Sequence, residues 1–161
     1  MQAKRMLRSF AAIALLIPPV PGPVIRGFEA TGPYAPGQRG VLFRTEPGEL
    51  VIAPVSGRVS FAGSVAGRPI VTISTTISGG VPTAGGMAAG TYKISLSPMA
   101  VPLPIVGTVV SNGQILGATA GDRLLLTVRK DGVYVDPEPL LSGRYRARLI
   151  PMEKFLGEQL Q

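Results

Sequence analysis

Between Val24 and Leu141 the chain never runs far without a turn signal, and that spacing limits its fold more than any other feature. Short apolar runs near Val41–Phe43, Leu50–Ala53, Gly57–Ala62, Ile70–Ser74, Thr91–Leu96, Thr108–Val110, Leu124–Arg129 and Val133–Val135 read as strands. The breaks fall at Glu46-Pro47-Gly48, Gly63, Ser78-Gly79-Gly80, Ser111-Asn112-Gly113 and Lys130-Asp131-Gly132. Asn-Gly and Asp-Gly between apolar runs are strong hairpin signals, because both residues tolerate the positive φ of a tight turn. Strands this short and this closely spaced predict an all-β fold, a small barrel-sandwich. The 21 glycines and 16 prolines make up about a quarter of the chain, a level that borders on disorder. Against that, 45% of residues are hydrophobic and only 16% charged, enough apolar surface to offset the folding entropy. The glycines and prolines are therefore turn residues.

The flanks differ from this body. Residues 1–23 read as a signal-like leader and a proline-rich linker: basic Lys4, Arg5 and Arg8, an apolar stretch from Phe10 to Ile17, then prolines from Pro18 to Pro23. The apolar stretch is shorter than the roughly 20 residues a membrane span needs. Residues 24–141 form the predicted β domain. Residues 142–161 form a basic tail with Arg144, Arg146 and Arg148, and Met152, Phe155, Leu156 and Leu160 at helical spacing predict a short helix there. Within the domain, the uncharged segment from Ser78 to Gly90 reads as a long functional or mobile loop. The segments from Gly48 to Gly57 and from Val106 to Gly117 share a loose pattern that suggests two related hairpins.

Two absences restrict the chemistry. The chain has no cysteine and no histidine, which removes disulfides, thiolate nucleophiles, the commonest general base and the commonest zinc ligand. The net charge of +7 favours anionic partners in general. No basic helix, finger or aromatic-basic motif points to nucleic acid.

The run GQRGVLF, then GELVIAPVSGRVSFAGSVAGRPIVTIS, then VVSNGQILG, then RLLLTVRKDGVYVDPEPLL, resembles the lysostaphin/LytM-type peptidoglycan endopeptidases (peptidase family M23, the duplicated hybrid motif). The resemblance covers roughly Phe28 to Leu141 and rests on order and spacing: Ala53-Pro54 with Gly57-x-Val59, Gly113-Gln114-x-x-Gly117, and Tyr134-x-Asp136-Pro137. It implies a LytM-like β-sheet core. Members are zinc hydrolases with ligands from a His-x-x-x-Asp motif and a His-x-His motif. Here the first histidine position holds Gln38 and the aspartate position Leu42. The His-x-His falls on Arg123-Leu124-Leu125, so Arg123 stands at the catalytic-histidine position and Leu125 at the ligand position. A further family histidine aligns near Thr75.

An amide oxygen is a poor zinc ligand, leucine offers none, and arginine stays protonated. Without a ligated metal no water is activated. The resemblance therefore implies a degenerate member: not an enzyme, with no metal and no cofactor. Its expected role is extracytoplasmic, in a bacterial envelope, binding peptidoglycan or regulating a cell-wall hydrolase. Gln38, Arg39 and Arg123 would line the groove, and Leu42 and Leu125 would meet as an apolar plug. Membrane contact would come only through an uncleaved leader. Two alternatives stand beside it: a scaffold protein binding a partner through its tail, and a biotinyl- or lipoyl-type carrier using Lys93 or Lys130.

Overall fold

A computed structural model describes residues 16–29, 37–78 and 87–141. Among them are ten strands: β1 (Val24–Arg26), β2 (Gly40–Arg44), β3 (Leu50–Ile52), β4 (Gly57–Val65), β5 (Arg68–Ile77), β6 (Gly90–Ser97), β7 (Val109–Val110), β8 (Ile115–Ala118), β9 (Arg123–Lys130) and β10 (Val133–Val135). A single 3-10 turn covers Glu138–Leu140. The fold is all-β, as the sequence predicts. The proposed helix of the tail, with Arg144, Arg146 and Arg148, lies outside the described residues, as do residues 79–86 of the long loop.

The large sheet has eight strands in the order β1-β2-β9-β6-β5-β4-β7, with β10 also paired to β9, and all its pairings are antiparallel. On one edge of β9, β2 pairs with residues from Arg123 to Thr127, and β10 takes over from Val128 to Lys130. Period-2 alternation then divides the sheet into two faces. Val41, Phe43, Val71, Ile73, Ile94, Leu96, Leu124, Leu126 and Val128 are buried on one of them. The small sheet, β3 with β8, supplies Val51 and Leu116 to the same core cluster. Each fully buried side chain of this kind contributes about 1.5–3 kcal/mol.

Three features differ from the sequence expectations. Gly63, predicted as a break, lies inside β4, and the chain turns instead at Ala66-Gly67, whose φ values of +51° and +78° suit a two-residue hairpin turn. β1 and β8 were not foreseen. β8 pairs with β3, so the two loosely similar segments are partners across one small sheet rather than separate hairpins.

The third difference is at the start of the body. Residues 16–23, expected as the end of a leader and its linker, are packed into the domain. Leu16 is fully buried and Val20 nearly so. The Leu16 amide donates to the Leu140 carbonyl at 2.8 Å, Ile17 to Pro54 at 2.8 Å, and the Ile52 amide to Pro19 at 3.0 Å. Leu16 also forms a parallel bridge with Leu141. No helix among the described residues is long and apolar enough to cross a membrane.

Candidate binding groove

The face of the large sheet turned away from the core carries a cavity of about 660 Å³. Its floor follows from register. Leu42 on β2 faces Leu125 on β9, which faces Ser97 on β6. One step along, Thr127 faces Ser95, which faces Thr72 on β5. A further step brings Lys93 opposite Arg129, with Tyr134 of β10 opposite Arg129 on its other side. A bulge in β4 between Val59 and Phe61 breaks the alternation: Val59 enters the core while Phe61 turns to the groove beside Thr72.

The floor is a ladder of hydroxyls between apolar patches. Thr72 Oγ1 and Ser95 Oγ are hydrogen-bonded at 2.8 Å. Ser97 is only 8% exposed, yet its hydroxyl makes no hydrogen bond among the described residues. A buried hydroxyl without a partner costs about 1–3 kcal/mol. The cations lining the groove are Lys93, Arg129 and Arg68, and no aspartate or glutamate lines it. The Arg129 guanidinium lies 5.8 Å from the centroid of the Tyr134 ring, and that of Arg39 lies 5.9 Å from the same ring. Both are within range of a cation–π attraction.

The sequence-derived site residues sit around this floor as follows. Leu42 and Leu125 are half-buried neighbours on adjacent strands. Gln38 points back to the entry of β2: its Nε2 donates to the carbonyls of Arg26 at 3.2 Å, Gly27 at 3.2 Å and Gly40 at 3.1 Å. It fastens β1 to β2. Arg123 is exposed opposite Arg44, 3.9 Å from the Asp122 carboxylate. Arg39 reaches the rim of the groove against the Tyr134 ring. Thr75 faces Tyr92, on the core side of the sheet. Gln38, Arg39, Leu42 and Arg123 are not among the residues that line the cavity; Leu125 is. Among the described residues no cluster of three or more Asp, Glu, His or Cys can hold a metal ion.

Lys130, weighed as a carrier lysine, is not at a hairpin tip. It is paired within the ladder to Tyr92 and Val133, and the tip is Asp131-Gly132. Nearby, burial and then the Asp131 carboxylate push the Tyr92 phenol above its ordinary value, and its O–H donates to the Ala88 carbonyl at 2.9 Å.

Lys93, Ser97 and Tyr134 were missed as groove residues by sequence reasoning. The alternation in KISLS places Lys93 and Ser97 correctly once β6 and β9 are known to be neighbours, and the pairing of β10 with β9 brings in Tyr134.

No family model matches the chain. An uncharacterized protein of Mycobacterium tuberculosis is 37% identical over 101 residues, which cover 62% of this chain and 35% of that protein. The chain thus spans about a third of that relative's length. Among solved structures, Helicobacter pylori Csd3 superposes with a TM-score of 0.61 at 22% identity, covering 92% of this chain and 43% of Csd3. A putative peptidase M23 from Pseudomonas aeruginosa gives 0.56 at 19% identity, covering 85% and 60%. The SpoIIQ–SpoIIIAH pore-forming complex gives 0.60 at 16% identity, covering 81% and 92%. The fold is therefore one shared with M23/LytM-type peptidases.

Proposed function

We propose that this chain is a non-catalytic LytM-like domain that acts outside the cytoplasmic membrane and uses its groove to bind peptidoglycan or a cell-wall hydrolase. The observation that carries the reading is Leu42 against Leu125. At the two positions where the resemblance expects an aspartate and a histidine, two leucines stand directly opposite each other on adjacent strands, with Leu125 lining the groove. The third position, Gln38, has its amide occupied by backbone carbonyls. A groove of this size with hydroxyl, apolar and cationic lining suits an extended polar chain better than a small compact ligand. The solved SpoIIQ–SpoIIIAH complex supports the protein-partner branch, since one of its chains shares this fold.

Co-sedimentation with purified sacculi tests the wall branch. The wild-type chain is expected in the pellet, and Thr127→Trp, which fills the groove, is expected in the supernatant with an unchanged melting profile. A wild type that stays in the supernatant counts against wall binding, and a pull-down from cell envelope then decides whether a hydrolase is bound instead.

A further inference from the structure

We propose that the Lys93–Arg129 end of the groove is a carboxylate subsite, and that the groove takes an extended peptide with one carboxylate seated between these two cations. The inference rests on the groove being a binding groove, and adds which ligand group it reads and where.

Lys93 and Arg129 are directly opposed on adjacent antiparallel strands, on the same face. Side chains so placed have Cβ atoms about 4.5–5.5 Å apart, and like charges there repel. Among the described residues neither forms an ion pair, and no acidic side chain lines the groove. The repulsion is relieved when an anion enters between them. The site is also held in shape: the Arg129 guanidinium is drawn to the Tyr134 ring at 5.8 Å. A guanidinium fixed by its face keeps its N–H edge free for a carboxylate, which it can bind through two parallel hydrogen bonds.

The rest of the floor argues for a peptide. From Lys93, β6 runs past Ser95 to Ser97, about 13 Å along the strand at roughly 3.3 Å per residue. That is the length of four extended residues. Ser97 supplies a buried hydroxyl with no partner among the described residues, suited to a ligand amide. Phe61, Ile70 and Leu125 supply apolar contacts for side chains. A ligand with a carboxylate at one end and peptide groups along its length satisfies all three.

The test uses three neutral-dye-labelled pentapeptides of alanine and glycine: one with a free C-terminal carboxylate, one amidated, and one amidated but carrying a single internal glutamate. Fluorescence anisotropy on the full chain reads affinity. At least one carboxylate peptide is expected to bind tenfold or more tighter than the neutral one, and comparing the two distinguishes a terminal from a side-chain carboxylate. Lys93→Gln and Arg129→Gln should each reduce that preference below threefold. Arg26→Gln, the same charge loss at the far edge of the sheet, should keep it. Equal affinity for all three peptides overturns the subsite, as does a preference that survives both groove substitutions. If sacculi are retained but no peptide binds, the subsite falls and the groove reading stands. If neither binds, both fall.

Discussion

Leu42 of β2 stands directly opposite Leu125 of β9, both half-buried on the groove face. Cutting either back to alanine removes part of a contact rather than a core side chain. Each single substitution is therefore expected to cost about 1 kcal/mol, below the 1.5–3 kcal/mol of full burial. The double variant should lose less than the sum by about 0.2–1 kcal/mol, the usual coupling of a cross-strand pair. Urea unfolding of the four proteins measures it, and strict additivity would show that the two leucines do not share a contact.

Zinc added in excess is expected to leave the thermal midpoint unchanged, because among the described residues no donor cluster is present to bind it in the folded state. A rise in melting temperature with zinc, reversed by chelator, would locate a metal site elsewhere in the chain.

Gln38 is expected to matter for stability rather than for ligand binding. Gln38→Ala leaves the carbonyls of Arg26, Gly27 and Gly40 without their shared donor and should cost about 1–2 kcal/mol. Gln38→Glu should cost more, since it sets a carboxylate against the same oxygens. If Gln38→Ala weakens sacculus binding while stability holds, the side chain belongs to the binding surface after all.

Leu16 and Val20 predict how the N-terminus can be processed. Removing residues 1–17 deletes a fully buried leucine and its bond to Leu140, and losing such a side chain typically costs about 2–5 kcal/mol. If the chain is exported as proposed, its stable form should therefore keep Leu16, with cleavage before it or none. Intact mass of the protein recovered from the envelope checks this; a stable form beginning after Leu16 would contradict it.

Tyr92 gives a pH dependence at the alkaline end. Its folded pKa is raised, so the fold favours the protonated phenol. That contribution is fully present below the ordinary tyrosine value of about 10 and is lost as pH rises toward the higher folded value. Stability should fall over that window in the wild type and less steeply in Tyr92→Phe, which lacks the ionisable group and the bond to Ala88. Chemical denaturation between pH 8 and 11 makes the comparison.

Much of the sheet is legible in the sequence because its strands alternate and its turns carry Asn-Gly, Asp-Gly or Pro-Gly. The Asp131-Gly132 turn, with both φ values positive, shows the signal working. Gly63 misleads because a glycine inside a strand can serve packing: a Cβ there would lie 3.3 Å from the Phe61 ring. Ala66, the residue that does turn, has no turn preference. β1 directly follows the proline-rich stretch that reads as a linker, and β8 is a brief run after the Asn112-Gly113 turn; their pairing with β2 and β3 gives them their form. The groove was less legible than the strands. That Lys93 faces Arg129 depends on β6 lying beside β9, with β7 and β8 between them in sequence, and no local pattern encodes that adjacency.

The bridge between Leu16 and Leu141 has a consequence for how the domain can be mounted. Both residues belong to the apolar cluster behind the large sheet, whereas the groove opens on the front. The bridge is parallel, so the two stretches run in the same direction there, and Leu16 and Leu141 sit side by side behind the sheet. A pull between the two is borne first by that one stitch, before any rung of the sheet feels the load.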